Sequence, residues 1–279
     1  MVTTALMRPE HIPDGLRLCR AAGWNQTARD WAQFLDATPD GARIATAEGR
    51  VVGTAATIRY GGAFAWIGMV LVDPAARGRG IGTRLFDEAL GLLSDIPVAR
   101  LDATPAGYPL YLRRGFEEEY RVERMTNTSA ASRQPLAAGV RAIRPDDVAR
   151  MLSLDVTAFG AARGSMLRWM LEGAPQLAWL ADDGRRVRGF VLGRHGHAFD
   201  HVGPVVAEDV DTAAALTAAA LAATARPIVL DATPHVPGWR EWLTSRGFVG
   251  QRALIRMTKG TPPVANTHQQ FAILGPEFG

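Results

Sequence analysis

Between Asp73 and Thr83 the chain reads Asp-Pro-Ala-Ala-Arg-Gly-Arg-Gly-Ile-Gly-Thr, with glycine at 78, 80 and 82. Glycine takes positive φ at little steric cost and lets a ligand approach the main chain closely. The apolar run Ala65–Val72 before this loop predicts a strand. Gly82–Leu93 after it predicts a helix, because Leu85, Phe86, Ala89, Leu90 and Leu93 share a face. A helix that begins here points its first unpaired N–H groups, and the positive end of its dipole, out of the fold. Arg77 and Arg79 add charge. The pattern predicts an anion site, most simply for a phosphate or diphosphate. A P-loop would end in Gly-Lys-Ser/Thr, and this segment has no lysine. A dinucleotide-binding loop competes, since Gly78-x-Gly80 opens a helix after a strand and Asp102 lies about 20 residues on. Against it, Thr83 stands where the third glycine belongs, and several strands precede the loop. A tight turn without a ligand is the remaining reading.

The stretch Val72–Gly82 resembles the acetyl-coenzyme A motif of the GNAT acetyltransferases, Arg/Gln-x-x-Gly-x-Gly/Ala, with Arg77, Gly80 and Gly82 in the fixed places. Downstream, Tyr111-Leu112-Arg113-Arg114-Gly115-Phe116 resembles the family's Tyr-x-x-x-Gly-Phe. The resemblance implies that Arg77 and the amides of Gly78, Arg79, Gly80, Ile81, Gly82 and Thr83 hold the diphosphate of acetyl-coenzyme A. It implies that the main chain of Val70, Leu71 and Val72 pairs with the pantetheine arm like an added strand. The neighbouring strands would splay at a bulge to admit the thioester, and an amide near Met69 or Val70 would polarise its carbonyl. Thr104 stands where the family often has an asparagine touching pantetheine, and Gly107 where alanine is usual. Thr104 can still donate and accept a hydrogen bond. Tyr111 is the implied general acid for the leaving thiolate, with Tyr108 in reserve.

The implied activity is transfer of acetyl from acetyl-coenzyme A to a primary amine of a small molecule or peptide. The alternative is a non-catalytic acyl-coenzyme A binding or regulatory protein. No base is evident, because Ala65–Val72 holds no carboxylate or histidine. Asp200-His201 aligns with Ala65-Trp66 and is a candidate to face a shared cleft. Trp24-Asn25-Gln26 and Trp31 fall in the region that roofs the acceptor in this family, or else in the core.

The alignment rests on an internal repeat. Leu101-Asp102-Ala103-Thr104-Pro105 returns letter for letter at Leu230–Pro234, and Arg114-Gly115-Phe116 returns at Arg246-Gly247-Phe248. The offset is 129 at the first match and 132 at the second, and weaker upstream echoes lie near 135. Two homologous domains follow: 1–127, resembling a catalytic GNAT domain, and 139–260, a degenerate copy. They are joined by a linker at 128–138 and followed by a tail at 261–279 expected on the surface. The second copy has no glycine loop. It reads Ala207-Glu208-Asp209-Val210-Asp211-Thr212, with three carboxylates that would repel a diphosphate, and Leu243 stands at the place of Tyr111. One cofactor site per chain is expected. Asp102 tempts as a base, yet Asp231 persists in a copy with no chemistry to do, so both read as structural.

The elements that must position these residues alternate. A short strand ends near Arg8. Helices cover Asp14–Ala22, with Leu16, Leu18 and Cys19 inward, and Asp30–Leu35. A hairpin of Arg43–Ala47 and Val51–Tyr60 turns at Glu48-Gly49-Arg50. Val98–Ala103, Tyr108–Arg114 and Glu118–Met125 read as strand, helix and strand. The fold class is α/β (α+β): two tandem GNAT-like domains, each a mixed, mostly antiparallel sheet flanked by helices.

Composition agrees. The chain has 279 residues, 47% hydrophobic and 21% charged, which suits two folded domains. Net charge is +3, and of 31 cations only Lys259 is a lysine, so the pI of 9.5 reflects arginine. Interleaved basic and aromatic residues of the nucleic-acid-binding kind are missing, and no nucleic-acid partner is expected. A single cysteine, Cys19, excludes an internal disulfide and a cysteine-rich zinc site, and suggests a cytoplasmic home. The first residues lack a signal-peptide pattern. Ala213–Ala223 has about half the length of a membrane span, so no membrane partner is expected. His195, His197 and His201 read as a solvated hairpin edge, not a metal set. Oligomeric state is open.

Overall fold

The expected elements of the first copy form in order: β1 (Val2–Leu6), α1 (Ile12–Ala21), α2 (Ala28–Ala37), β2 (Ala42–Ala47), β3 (Arg50–Tyr60), β4 (Phe64–Val72), α3 (Ile81–Gly91), β5 (Ala99–Ala103), α4 (Tyr108–Leu112) and β6 (Glu117–Asn127). The second copy gives β7 (Val140–Ala142), α5 (Asp147–Phe159), α6 (Gly164–Gly173), β8 (Trp179–Asp182), β9 (Val187–His195), β10 (Asp200–Ala207), α7 (Val210–Ala222), β11 (Ile228–Ala232), α8 (Trp239–Ser245) and β12 (Val249–Lys259). A short last strand, β13, covers Gln270–Ala272. These come from a computed structural model that describes residues 1–129 and 135–279. The expected linker falls partly at 130–134, outside the described residues.

Two units emerge. One holds Met1–Glu118, Met257–Pro262 and Phe278; the other holds Glu119–Arg256, Pro263–Glu277 and Gly279. In the first, β1 to β4 pair antiparallel in chain order and β5 joins β4 in parallel. The central strand β3 is buried along nearly its whole length, as its apolar and small residues require. Helix α3 lays Ile81, Leu85, Phe86 and Ala89 on this sheet, a 3.6-period face in which each large side chain contributes about 1.5–3 kcal/mol. Gly53 makes that approach possible. A Cβ there would sit 2.8 Å from a Leu85 methyl, and one on Gly189 would sit 3.0 Å from Leu216 of α7. The weak repeat around Val51-Val52-Gly53 and Val187-Arg188-Gly189 thus marks where a helix presses on a strand.

The second unit repeats the plan. β7, β8, β9 and β10 pair antiparallel in chain order. β10 meets β11 in parallel at Asp200–Ile228 and His201–Val229. Loop length explains the shifting offset. Between β4 and α3 lie residues 73–80, and between β10 and α7 only 208 and 209. The six missing residues carry the offset from 135 to 129.

The first copy's last long strand and the end of the second copy's change units. Glu119–Asn127, from the first copy, belongs to the second unit, where β6 pairs with β11 from Ile228–Asn127 to Ala232–Glu123. Met257–Pro262, from the second copy, belongs to the first unit. The ends of both strands are pinned alike. The Asn127 side-chain amide donates to the Arg246 carbonyl at 2.8 Å, and Lys259 Nζ donates to the Arg114 carbonyl at 2.8 Å. Each repeated Arg-Gly-Phe therefore offers its arginine carbonyl to the end of the other copy's strand.

The tail departs from expectation. It does not lie on the surface: Phe271, Ala272, Ile273, Leu274 and Phe278 are fully buried. In the second unit β13 pairs with β10 at Val205–Ala272 and Val206–Gln270, and with β11 at Ala232–Ala272. The apolar run Phe-Ala-Ile-Leu gives up more than enough water-exposed surface to favour burial. Phe278 joins the first unit, its ring stacked on Phe34 at 4.7 Å and its carbonyl accepting from the Tyr60 hydroxyl.

Candidate active site

The predicted loop is built around α3. Asp73 ends β4 and fixes the turn: its Oδ1 accepts from the Ala75 amide at 3.1 Å, and its Oδ2 lies 2.8 Å from Arg17 and 3.3 Å from Arg50. These contacts, the Ala75 amide foremost, hold its carboxyl below the ordinary carboxylate value and neutralise its charge beside the loop. The Arg77 guanidinium donates to the Val72 carbonyl at 3.3 Å. Gly78 and Gly80 then take φ of +75° and +74°, the left-handed region that costs other residues about 1–2 kcal/mol. Gly80 is the N-cap, and the first helical bond runs from the Arg84 amide to its carbonyl.

The consequence is a row of open donors. Among the described residues, the amides of Gly78, Arg79 and Gly80 donate to no protein acceptor. Those of Ile81, Gly82 and Thr83 open the helix, where no intrahelical partner exists. No acidic residue stands in the first turn, and a Cβ at Gly78 or Gly80 would meet nothing within 4 Å. Ile81 is buried beneath the loop, and a Cβ on Gly82 would lie 3.3 Å from Val72. An exposed cationic cradle results, of a kind that suits a diphosphate.

Beside the cradle the sheet parts. β4 pairs with β5 at Ala65–Ala99 and Trp66–Arg100; among the described residues the ladder goes no further, although the strands run on to Val72 and Ala103. On its other edge β4 bulges against β3 between Gly68–Ala56 and Leu71–Thr54. Met69 adopts φ of +56° within the bulge, and the buried Thr54 hydroxyl donates to its carbonyl at 2.8 Å. Sequence reasoning missed Thr54; with Thr57 also buried in the same strand, its residue type alone did not single it out. Val70, Leu71 and Val72 thus lie on β4 beyond its last pairing with β5.

Tyr111 comes from α4, just after β5. Its ring packs 4.7 Å from Phe86 and is 8% exposed. A Cβ on Gly107 would lie 2.8 Å from that ring, so glycine in place of the usual alanine makes room for it. Among the described residues nothing pairs with its hydroxyl. Burial pushes the phenol up to about 12. Tyr108 differs, being within 3.3 Å of Glu118 Oε2 and able to donate to it. The Thr104 hydroxyl accepts from the Gly107 amide at 3.3 Å, steadying the turn into α4.

Other candidates resolve differently. Trp31 is core, packed where a side chain on Gly15 would sit. Leu16 is only half-buried, while Leu18 and Cys19 face inward. His201 is buried and not on a solvated edge, whereas His195 and His197 are exposed. Asp200 and His201 spend their polar atoms inside the second unit. Asp200 meets His195, Thr224 and Arg226 at 2.7–2.9 Å, and His201 Nε2 lies 2.9 Å from Asp231. Asp231 is also clasped by Arg124 of β6 at 2.7 and 2.8 Å. That anchor explains why the second copy keeps its aspartate.

At the cradle's counterpart in the second unit, Asp209 caps α7. Its Oδ1 accepts from the Thr212 amide at 2.8 Å, its Oδ2 lies 2.7 Å from Arg188, and that amide bond lowers its pKa.

Comparison with known proteins bears on the family and the fold. Residues 39–118 and 151–272 each match an "Acetyltransferase (GNAT) domain", together covering more than half of the chain. The chain is 26% identical over 263 residues to the holothin acyltransferase of a Pseudoalteromonas species, covering 93% of this chain and 88% of that one. A solved structure from Pyrococcus horikoshii superposes with a TM-score of 0.85 at 24% identity, covering 100% and 96% of the two chains. A tandem GNAT protein from the clavulanic acid biosynthesis pathway superposes with a TM-score of 0.65 at 15% identity, covering 93% and 98%. Among the described residues no helix is long and apolar enough to cross a membrane. With both halves matched and the tandem fold shared, the chain belongs to the GNAT acetyltransferase family and carries two of its domains.

Proposed function

We propose that the first unit moves an acetyl group from acetyl-coenzyme A to a primary amine of a small molecule or peptide, by direct attack in a ternary complex. The observation that carries this reading is the parting of β4 and β5 beside a cradle of open amides. Gly78–Thr83, with Arg77 and Arg79, would hold the diphosphate. Val70, Leu71 and Val72 would pair with the pantetheine arm, and Thr104 would meet its amide end. When bound, acetyl-coenzyme A supplies an activated acetyl thioester. An amide at the Met69 bulge would polarise its carbonyl. Tyr111 keeps its proton at every pH near neutrality, because burial raises its pKa to about 12, and its unpaired hydroxyl would donate to the departing sulfur.

The acceptor must lose a proton. For a lysine-like amine this costs about 4–5 kcal/mol at neutral pH, for an α-amine only about 1 kcal/mol. The first unit's β4 brings no base, so the reading favours acceptors of low amine pKa or deprotonation through water. Tyr111→Phe tests it. Coenzyme A should bind unchanged by calorimetry, while amine-dependent thiol release falls about 100-fold. Binding without thiol release from the natural-sequence protein, across a broad amine panel, would support the non-catalytic acyl-coenzyme A binding reading instead.

A further inference from the structure

The second unit has the same parted strands as the first, but they are not empty-handed. β10 and β11 pair only at their first two positions, as β4 and β5 do. Past that point β13 lies between them. Its partners on β10 are Val205 and Val206. At the repeat offset of 135 these are the counterparts of Val70 and Leu71, the residues assigned above to pantetheine. The fit is close. The Ile273 amide donates to the Asp231 carbonyl at 3.1 Å, the Thr233 amide to the Phe271 carbonyl at 3.1 Å, and the Trp239 indole to the same carbonyl at 2.9 Å. Phe271 stands edge-on to Trp239 at 5.2 Å. A Cβ on Gly203 would come within 2.1 Å of the Ile273 carbonyl, so β10 is shaped for this occupant. The segment beyond is tied down by the Arg194–Glu277 ion pair and by Arg163 donating to the Gly279 carbonyl at 3.1 Å. The diphosphate end has changed as well: a carboxylate, Asp209, caps α7 and accepts from the Thr212 amide.

We infer that the gap between β10 and β11 is a site for an extended apolar peptide strand, filled in cis by Gln270–Ile273, and that this strand and Asp209 together stand in for the two halves of a coenzyme A. The peptide supplies the edge hydrogen bonds of a pantetheine arm and the carboxylate supplies the negative charge of a diphosphate. The second domain has not merely lost its ligand; it has made one part of its own chain. The comparison with pantetheine rests on the proposed reading of the first unit, but the peptide site itself does not.

The link Thr261–Gln269 offers a test, since Val264 is 99% exposed. A protease site inserted at Val264 in the full-length protein converts the tail into a noncovalent peptide after cutting. A fluorescent synthetic peptide of residues 265–279 should exchange into the cut protein, and a Phe271→Asp version should bind about 100-fold more weakly. Coenzyme A should not displace the labelled peptide, and its stoichiometry should stay at one per chain before and after cutting. The inference falls if the cut tail leaves with no change in melting temperature, or if coenzyme A displaces the peptide or binds a second equivalent. Gly203→Ala in the uncut chain is a second probe. It should raise amide exchange across 270–274 while coenzyme A affinity at the first unit holds; unchanged exchange counts against the site. Failure of the first unit to bind coenzyme A at all would overturn the proposed function and leave the peptide result readable.

Discussion

The two units part their strands at the same place and solve the result in opposite ways. In the first, α3 opens on glycine with bare amides, and among the described residues β4 and β5 pair no further than Trp66–Arg100. In the second, α7 opens on an aspartate that bonds the Thr212 amide, and β13 fills the gap. A parted sheet exposes backbone groups that must find partners. A binding site leaves that demand for its ligand, whereas a structural domain has to meet it internally. The difference teaches that a domain with parted strands and no ligand, as the second unit is on the proposed reading, must supply its own partners to stay folded. The unmet hydrogen bonds and the exposed helix mouth need replacements, and here both come from the chain.

The sharpest way to break the filled side is through Arg124. It is buried with Asp231 in a two-pronged ion pair, and His201 lies against the same carboxylate. Arg124→Leu strands a buried charge, which costs about 3–5 kcal/mol. Urea unfolding followed on the second unit should show that loss. The Arg124→Leu/Asp231→Leu double variant should recover much of it, because apolar replacement of a whole buried pair is often neutral. A loss well under 1 kcal/mol in the single variant would mean the pair contributes little and the slot is held by β13 alone.

The open side is broken by writing the second unit's answer into it. Gly80→Asp places a carboxylate at the cap of α3, the position held by Asp209 in α7. Aspartate is among the few residues that visit the left-handed region, so the loop need not unravel. Repulsion and a blocked cradle should weaken coenzyme A about 100-fold, roughly 2.7 kcal/mol. Calorimetry at low salt reads the effect directly. Affinity within a factor of about two of the parent would remove the cradle from the binding site.

Much of this contrast was legible in the residues. The glycine loop, the period of α3 and the letter-for-letter repeat gave the fold, and the acidic stretch at Glu208–Asp211 announced that the second copy had lost its cradle. The drop in offset from 135 to 129 reflects the shortened loop, which only the element bounds placed. What stayed hidden was long-range. A strand's sequence says that it will pair, not with which copy, so the exchange of β6 and the end of β12 left no local mark. Prolines around the tail argued for a surface path, yet Phe271–Leu274 is an apolar run of the kind that seeks a core. His201 looked solvated because a histidine in a strand is buried only if charges far along the chain, Arg194 and Asp231, arrive to satisfy it.

Acidification should loosen the filled slot and spare the open one. Burial, foremost, holds the His201 imidazole below its ordinary value, with Arg194 and Arg124 adding to that and Asp231 opposing it. The folded state therefore resists a proton that the unfolded chain accepts near its ordinary pKa of about 6.5. The stabilisation is present above that pH and is lost as pH falls below it, at up to about 1.4 kcal/mol per unit. Its counterpart Trp66 does not titrate. Intrinsic-rate-corrected amide exchange at about pH 5 against pH 7.5 should show β10 and β13 losing protection while β4 keeps it. Equal loss in both strands would place the sensitivity elsewhere.

The smallest effect belongs to the exchanged strand ends. Lys259 is exposed, so its bond to the Arg114 carbonyl is weakened by water; Lys259→Ala should cost about 0.5–1 kcal/mol. Asn127 reaches the Arg246 carbonyl from a buried position and also accepts from the Ser129 amide, so Asn127→Ala, which removes both bonds, should cost more, about 1–2 kcal/mol. The chain's only lysine then acts as a pin for that strand end. Lys259→Asn, which copies the other unit's pin, should preserve coenzyme A affinity and recover part of the stability lost in Lys259→Ala. If Lys259→Ala instead abolished thiol release with the melting temperature unchanged, the lysine would belong to the reaction, and the two pins would no longer be equivalent.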